Sequence, residues 1–325
     1  MTEPARDRAA RVRSGDRRAL AQAITLAEST RAADRRQAED LLVELLPLTG
    51  NAQRVALTGA PGAGKSSLVD ALGAHAIARG LRVAVLAVDP ASPETGGSLL
   101  GDAVRMQRLA ASEQAFVRAS SNAGTLGGTA PATREAVLLC EAAGFELVLI
   151  ETVGVGQAEL AVRDVSDTVL VLMLAGAGDE VQSLKRGLLE VADAVLVNKA
   201  DGAGEEAARI FAGELGSALA LLRPRGAPHV AALSARTGNG VPELWTWLEQ
   251  CNQAGRASGE LARRRQRQLE RALQDAISRE LLDHARSEPR ASQLLPELER
   301  EVAGGRLLPS AAARRLAAAL FGGVP

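Results

Sequence analysis

Between residues 17 and 47, Leu20, Ile24, Leu26, Leu41, Leu42, Leu45 and Leu46 recur at three- and four-residue spacing among Ala, Arg and Glu. Apolar positions spaced in this way share one helix face, which predicts two amphipathic helices. Leu48-Thr49-Gly50-Asn51 supplies a turn, and the period then changes. Short apolar, largely β-branched runs follow at Arg54–Thr58, Val83–Val88, Ala115–Arg118, Leu147–Ile150, Val169–Leu174, Ala194–Val197 and Val230–Leu233, with helical stretches between them. Strands alternating with helices predict an α/β fold: a mostly parallel central sheet with helices on both faces. Because the runs are apolar almost without interruption, they suit central strands. From about Asn252 the strand signal ends. Arg256 to Ala285 reads as one long charged helix, followed by two shorter ones parted near Pro289 and by Gly304-Gly305. The chain thus divides into an N-terminal helical extension (1–50), a central domain (51–251) and a C-terminal helical arm (252–325).

Composition narrows this picture by exclusion. The 325 residues carry a formal charge of −1, too balanced for a protein whose main task is gripping nucleic acid. Two cysteines, Cys140 and Cys251, are too few for a disulfide scaffold and fit a reducing compartment. The charged N-terminus lacks the apolar segment of a signal peptide, and its acidic residues do not suit a mitochondrial presequence. No apolar stretch is long enough to span a membrane, so the cytoplasm is the expected location. His75, His229 and His284 lie far apart, which argues against a His/Cys metal cluster.

The chemistry is carried by four motifs. Gly59-Ala60-Pro61-Gly62-Ala63-Gly64-Lys65-Ser66 matches the phosphate-binding loop G-x-x-x-x-G-K-[ST] in full, after a predicted strand and before a predicted helix opened by Ser67. Its glycines let backbone N–H groups turn inward around phosphates, at a helix N-terminus that favours anions. Lys65 is placed for the β/γ-phosphates, and the Ser66 hydroxyl for Mg²⁺. The second motif, Asn198-Lys199-Ala200-Asp201, follows a predicted strand, and Ser234-Ala235 follows a later one. An Asp carboxylate accepts from both N1–H and the 2-amino group of guanine, a donor pair adenine lacks, so the ligand is expected to be GTP/GDP. Third, Asp89 and Glu151 stand at the C-terminal ends of predicted strands, where open α/β sheets bind ligands. Glu151 opens Glu151-Thr152-Val153-Gly154. Its carboxylate can hold Mg²⁺, and the N–H of Gly154 can meet a γ-phosphate. The fourth is a pair of Gly-rich stretches, 89–102 and 124–128, which have the composition of switches ordered by γ-phosphate and Mg²⁺.

Taken together, GAPGAGKSS, VDPASPETGGSLLGDAVRM, AGTLGGTA, ETVGVGQAE, AGAGDEVQSLKRGLLEVAD and NKAD resemble the MeaB/ArgK family of G proteins. The resemblance runs from about Leu20 through the GTPase domain and less distinctly into the C-terminal helices. It implies a P-loop GTPase that chaperones methylmalonyl-CoA mutase and related adenosylcobalamin-dependent acyl-CoA mutases, gating cofactor delivery and protecting the enzyme. It also implies slow hydrolysis alone and faster hydrolysis on the mutase, a homodimer, and room for an adenosyltransferase as a further partner. By matching positions, Asp89, Asp102 and Glu151, with Ser66, would organise Mg²⁺ and the attacking water. Gly154, Val155 and Gln157 would belong to a second switch. Gly176 to Lys185 would form a third, with Lys185 coupling partner contact to hydrolysis. Ala91, Ala103, Ser183 and Arg186 depart from the residues usual in that family.

Two other classes weigh against these residues. A nickel-inserting metallochaperone GTPase would need its own Cys/His ligands, which two cysteines and three scattered histidines do not supply. A transport-linked kinase or ATPase is opposed by Asn198 and Asp201, which speak for guanine. Leu261, Leu269, Leu273, Ile277 and Leu281 recur at helical spacing in the arm, which suits either packing within the chain or a dimer seam.

Overall fold

The computed structural model describes residues 4–89, 106–121, 129–152, 161–176, 186–223 and 226–321. Seven parallel strands form one sheet in the order β3-β2-β4-β1-β5-β6-β7. They are β1 (Gln53–Gly59), β2 (Val83–Asp89), β3 (Ala115–Ser121), β4 (Leu147–Thr152), β5 (Thr168–Leu174), β6 (Ala194–Asn198) and β7 (His229–Ala232). Each sequence-predicted strand is present. The last begins one residue earlier than its apolar run, because His229 donates its N–H to Asp193 O and starts the pairing there.

Alternation along the buried strands divides the core into two layers. Val55, Leu57, Leu147, Leu149, Leu170 and Leu172 face one side. There they meet Leu68 and Leu72 of α4 (Lys65–Ala78) and Trp245 and Leu248 of α9 (Val241–Ala257). Ala56, Leu86, Val148, Ile150 and Val171 face the other side. This layer is closed by Leu20 and Ile24 of α2 (Arg17–Glu28), Leu41 and Leu45 of α3 (Ala32–Leu45), and Val137 and Cys140 of α6 (Thr129–Ala142). The predicted N-terminal helix pair therefore covers the sheet. A further helix, α1 (Ala5–Arg13), precedes it and buries only Ala9 and Val12, too few apolar side chains to stand out in so charged a stretch. Asp16 caps α2, its carboxylate accepting from the N–H groups of Arg18 and Ala19 at 2.9 and 3.0 Å.

A buried ionic layer lies at the N-terminal ends of β1 and β5. Arg54 and Glu141 pair bidentately at 2.8 and 2.9 Å, and the N–H of Gly50 donates to the same carboxylate at 2.7 Å. Arg265 likewise clasps Asp167 at 2.8 and 2.6 Å, and donates to the carbonyls of Gly50 and Ala52.

The remaining described helices are α5 (Gln107–Ala110), α7 (Arg186–Val191), α8 (Glu205–Leu222), α10 (Glu260–Ser287), α11 (Pro289–Ala303) and α12 (Pro309–Phe321). The long helix expected from Arg256 is divided: Arg256 belongs to the last turn of α9, and α10 starts at Glu260. The break falls at Gly259, whose φ of +71° is left-handed backbone that terminates a helix and suits glycine. Chain packing separates a compact unit, Met1–Arg265, from a second, Gln266–Pro325. Within the second, α11 and α12 pack together and Arg315 pairs with Glu301 at 3.2 Å. Leu269, Leu273, Ile277 and Leu281 of α10 are 43–59% exposed, an uncovered apolar stripe. Among the described residues, no helix is long and apolar enough to cross a membrane.

Candidate nucleotide-binding site

The phosphate loop runs from the end of β1 into α4. Gly59 (φ +138°) lies so close to the backbone of Leu172 on β5 that a Cβ would collide with it. Gly64 (φ +93°) begins α4, and a Cβ there would strike the side-chain amide of Asn198. Both conformations are open mainly to glycine, so these positions of the motif are fixed by the backbone before any ligand contact. Lys65 is buried, and its ammonium donates to the carbonyls of Gly59 and Ala60 at 2.8 and 3.0 Å. It is thereby held against the loop. Ser66 follows on the first turn of α4.

Glu151 reaches this helix because side chains alternate on β4. Leu147 and Leu149 face α4, so Glu151, two residues on, faces it too. Its buried carboxylate accepts from the Ser66 hydroxyl at 2.7 Å. Asp89 ends β2, the neighbouring strand, on which Ala87 pairs with Glu151. Three sequence elements far apart in the chain thus converge at one strand-end corner. A hydroxyl and a carboxylate in contact are hard oxygen donors, the set that Mg²⁺ prefers, so these residues fit that ion. Thr58 and Thr152 occupy the opposite faces of their strands, and their buried hydroxyls have no hydrogen-bond partner among the described residues. Asp102, Gly154 and Lys185, with Val155, Gln157 and the 177–185 part of the third switch, lie outside the described residues.

The second half of the site is built on the end of β6. Buried Asn198 donates to Ala63 O at 2.7 Å and accepts from the Ala235 N–H at 3.0 Å. One side chain therefore ties the phosphate loop to the loop after β7. Lys199 has φ +62°, the one positive value at a non-glycine among the described residues. Left-handed backbone costs a branched-free side chain about 1–2 kcal/mol. On either side of it, Asn198 is buried in the protein and Asp201 lines the cavity described below. The Asp201 carboxylate accepts from the Ser234 hydroxyl and the Arg236 guanidinium. Ser234 first, and Arg236 after it, hold this carboxyl below the usual carboxylate range, so it is ionised. Gly64, Ser67, Asn198, Lys199, Asp201 and Ala235 line one cavity of about 520 Å³. Its size and its position beside the phosphate loop suit a nucleotide base and ribose.

Two residues here escaped the sequence reading. Arg236 follows Ser234-Ala235 directly, and its adjacency to that motif was the available signal. Asp70 of α4 accepts from the N–H groups of Arg108 and Leu109, both at 3.1 Å, capping the short helix α5. Nothing in the spacing of Asp70 and Arg108 announces that contact.

This strand order, with a complete phosphate-loop motif between β1 and α4, defines the fold of a P-loop nucleoside triphosphatase. The family model described as "Methylmalonyl Co-A mutase-associated GTPase MeaB" matches residues 20–290, and the chain belongs to that family. A probable GTPase of Mycobacterium tuberculosis is 51% identical over 94% of this chain and 92% of its own length. The mouse protein named methylmalonic aciduria type A homolog, mitochondrial, is 42% identical over 92% of this chain and 75% of its own. A crystal structure titled LAO/AO transport system kinase superposes with a TM-score of 0.77 at 33% identity, covering 99% of both chains. The chain is a GTPase of α/β P-loop fold.

Proposed function

We propose that this GTPase is a chaperone of an adenosylcobalamin-dependent acyl-CoA mutase of the methylmalonyl-CoA type. It gates adenosylcobalamin loading, protects the mutase, and hydrolyses GTP slowly until the partner docks. The observation that carries this reading is the match over residues 20–290 to a family described by its association with that mutase.

In this reading the loop from Gly59 to Ser67 cradles the phosphates with its backbone N–H groups, Pro61 excepted, and Lys65 turns its ammonium from the loop carbonyls to the β/γ-phosphate oxygens. Ser66 and Glu151, joined by Asp89 and Asp102, would hold Mg²⁺, an ion that offsets negative charge on those oxygens. Asn198, Lys199, Asp201, Ser234 and Ala235 select guanine. Gly154 contributes its N–H to the γ-phosphate, and Lys185 couples partner contact to hydrolysis. The exposed apolar stripe on α10 supports a homodimer with the C-terminal helices as its arm, since such a stripe buries itself against a second copy. An adenosyltransferase completes the assembly, in the cytoplasm.

The test is the GTPase rate of the full chain with and without purified adenosylcobalamin-dependent mutases. Stimulation by a methylmalonyl-CoA-type mutase, absent with Lys65→Ala, is expected. A rate that no such mutase alters would remove the chaperone role and leave a GTPase.

A further inference from the structure

Asp201 reads guanine only when its two carboxylate oxygens face N1–H and the 2-amino group together. Here both oxygens are engaged: Oδ2 accepts from the Ser234 hydroxyl and Oδ1 from the Arg236 guanidinium. The two partners differ in kind. Ser234 is fully buried, and its hydroxyl also accepts from the Thr237 N–H at 3.1 Å, so it is a fixed part of the loop. A single hydroxyl leaves the second lone pair of Oδ2 open to a base N–H. The Arg236 side chain is 76% exposed, whereas that of Asp201 is only 16% exposed. Among the described residues, Asp201 is the hydrogen-bond partner of that guanidinium.

The guanine edge that Asp201 would read, N1–H and the 2-amino group on C2, is itself guanidine-like. It presents a planar fork of N–H donors about one carbon, as arginine does. Arg236 therefore offers the Asp201 carboxylate the same chemical group that the ligand offers.

We propose that Arg236 is a competitive latch on the base pocket: its guanidinium stands in for the guanine edge on Asp201, and a guanine nucleotide enters by displacing it into solvent. This rests on Asp201 being the guanine reader. An exposed ion pair is weak, so the latch slows nucleotide capture by about two- to five-fold. It acts on association, because the fraction of open pocket scales the rate of entry and leaves the bound state unaltered. It also sharpens base choice. Adenine has no donor pair with which to replace the arginine on the carboxylate.

The experiment is stopped-flow binding of N-methylanthraniloyl-GDP to the full chain and to Arg236→Ala, at low and at high salt. The latch predicts association about two- to five-fold faster in the variant at low salt, by the same weak-pair argument. It also predicts an unchanged dissociation rate and a gap that closes as salt screens the pair. Slower or equal association, or faster dissociation, would overturn it and make Arg236 inert or a contact of the bound nucleotide. Asp201→Asn separates the two layers of the argument. It should move preference from guanine to xanthine, and with N-methylanthraniloyl-XDP the added Arg236→Ala should then change nothing. If Asp201→Asn leaves guanine preference intact, the reader assignment itself falls. If preference moves but Arg236→Ala still accelerates binding in that background, only the latch falls.

Discussion

Asn198 joins the two halves of the candidate site, and its removal tests whether that link governs nucleotide binding. In Asn198→Ala the Ala63 carbonyl loses a donor at 2.7 Å and the Ala235 N–H loses an acceptor at 3.0 Å, at a side chain 3% exposed. Each buried backbone group left without a partner costs about 1–3 kcal/mol, so two cost on the order of 2–4 kcal/mol after partial relaxation. Unfolding entropy near about 2.1 cal/mol/K per residue then converts this into a melting point lower by roughly 4–7 °C for a unit of this size. The unit concerned spans Met1–Arg265. The phosphate loop and the loop after β7 would also lose their mutual register, so GDP must re-order them on binding. If about 1.4 kcal/mol of the lost energy reappears in binding, affinity falls tenfold. Calorimetric titration with GDP and thermal melts of the same samples read the two effects. A lower melting point with unchanged GDP affinity would show that the bridge supports only the fold. If neither changed, the reasoning from Asn198 would fail altogether.

The buried ionic layer and the histidines give two further predictions. In Glu141→Gln, Arg54 keeps its charge but loses its paired carboxylate in a site where the pair is 9% and 1% exposed, a loss of about 3–5 kcal/mol. Denaturant titration should show it, and an Arg54→Met/Glu141→Leu double variant should be more stable than the single one; the reverse order would refute the charge argument. Burial pushes His229, stacked on Trp247 at 5.0 Å, and His75 below the ordinary 6.5, with Arg79 adding to the effect at His75. Since the unfolded chain takes up these protons first, stability is complete above 6.5 and declines as pH falls below it. Melting points between pH 8 and 5 should be level and then drop, and a His75→Gln/His229→Gln variant should flatten the drop.

Where local pattern and tertiary demand agree, the sequence was enough. The seven strands were legible because a parallel strand covered on both faces must be apolar at nearly every position. Gly59, Gly64, Lys65 and Ser66 were legible because a phosphate loop needs fixed residue types at fixed spacing within a single turn of chain. Helix α1 was not, since Ala9 and Val12 are small and sit among arginines. Nor was the interruption at Ser258-Gly259, where a single glycine among charged helix formers gives a weak local signal.

By itself, then, the amino-acid sequence determined the strands, most of the helices and where the phosphate-loop motif falls, all of them matters of local periodicity and spacing. Tertiary structure alone decided what meets across the chain. Ser66 touches Glu151 because the β4 pleat turns that carboxylate toward α4. Asn198 bridges Ala63 and Ala235, and Arg265 seizes Asp167. Arg236 meets Asp201 because a short loop after β7 brings its guanidinium beside that carboxylate. Contacts of this kind depend on strand order and side-chain direction, which exist only once the sheet has formed.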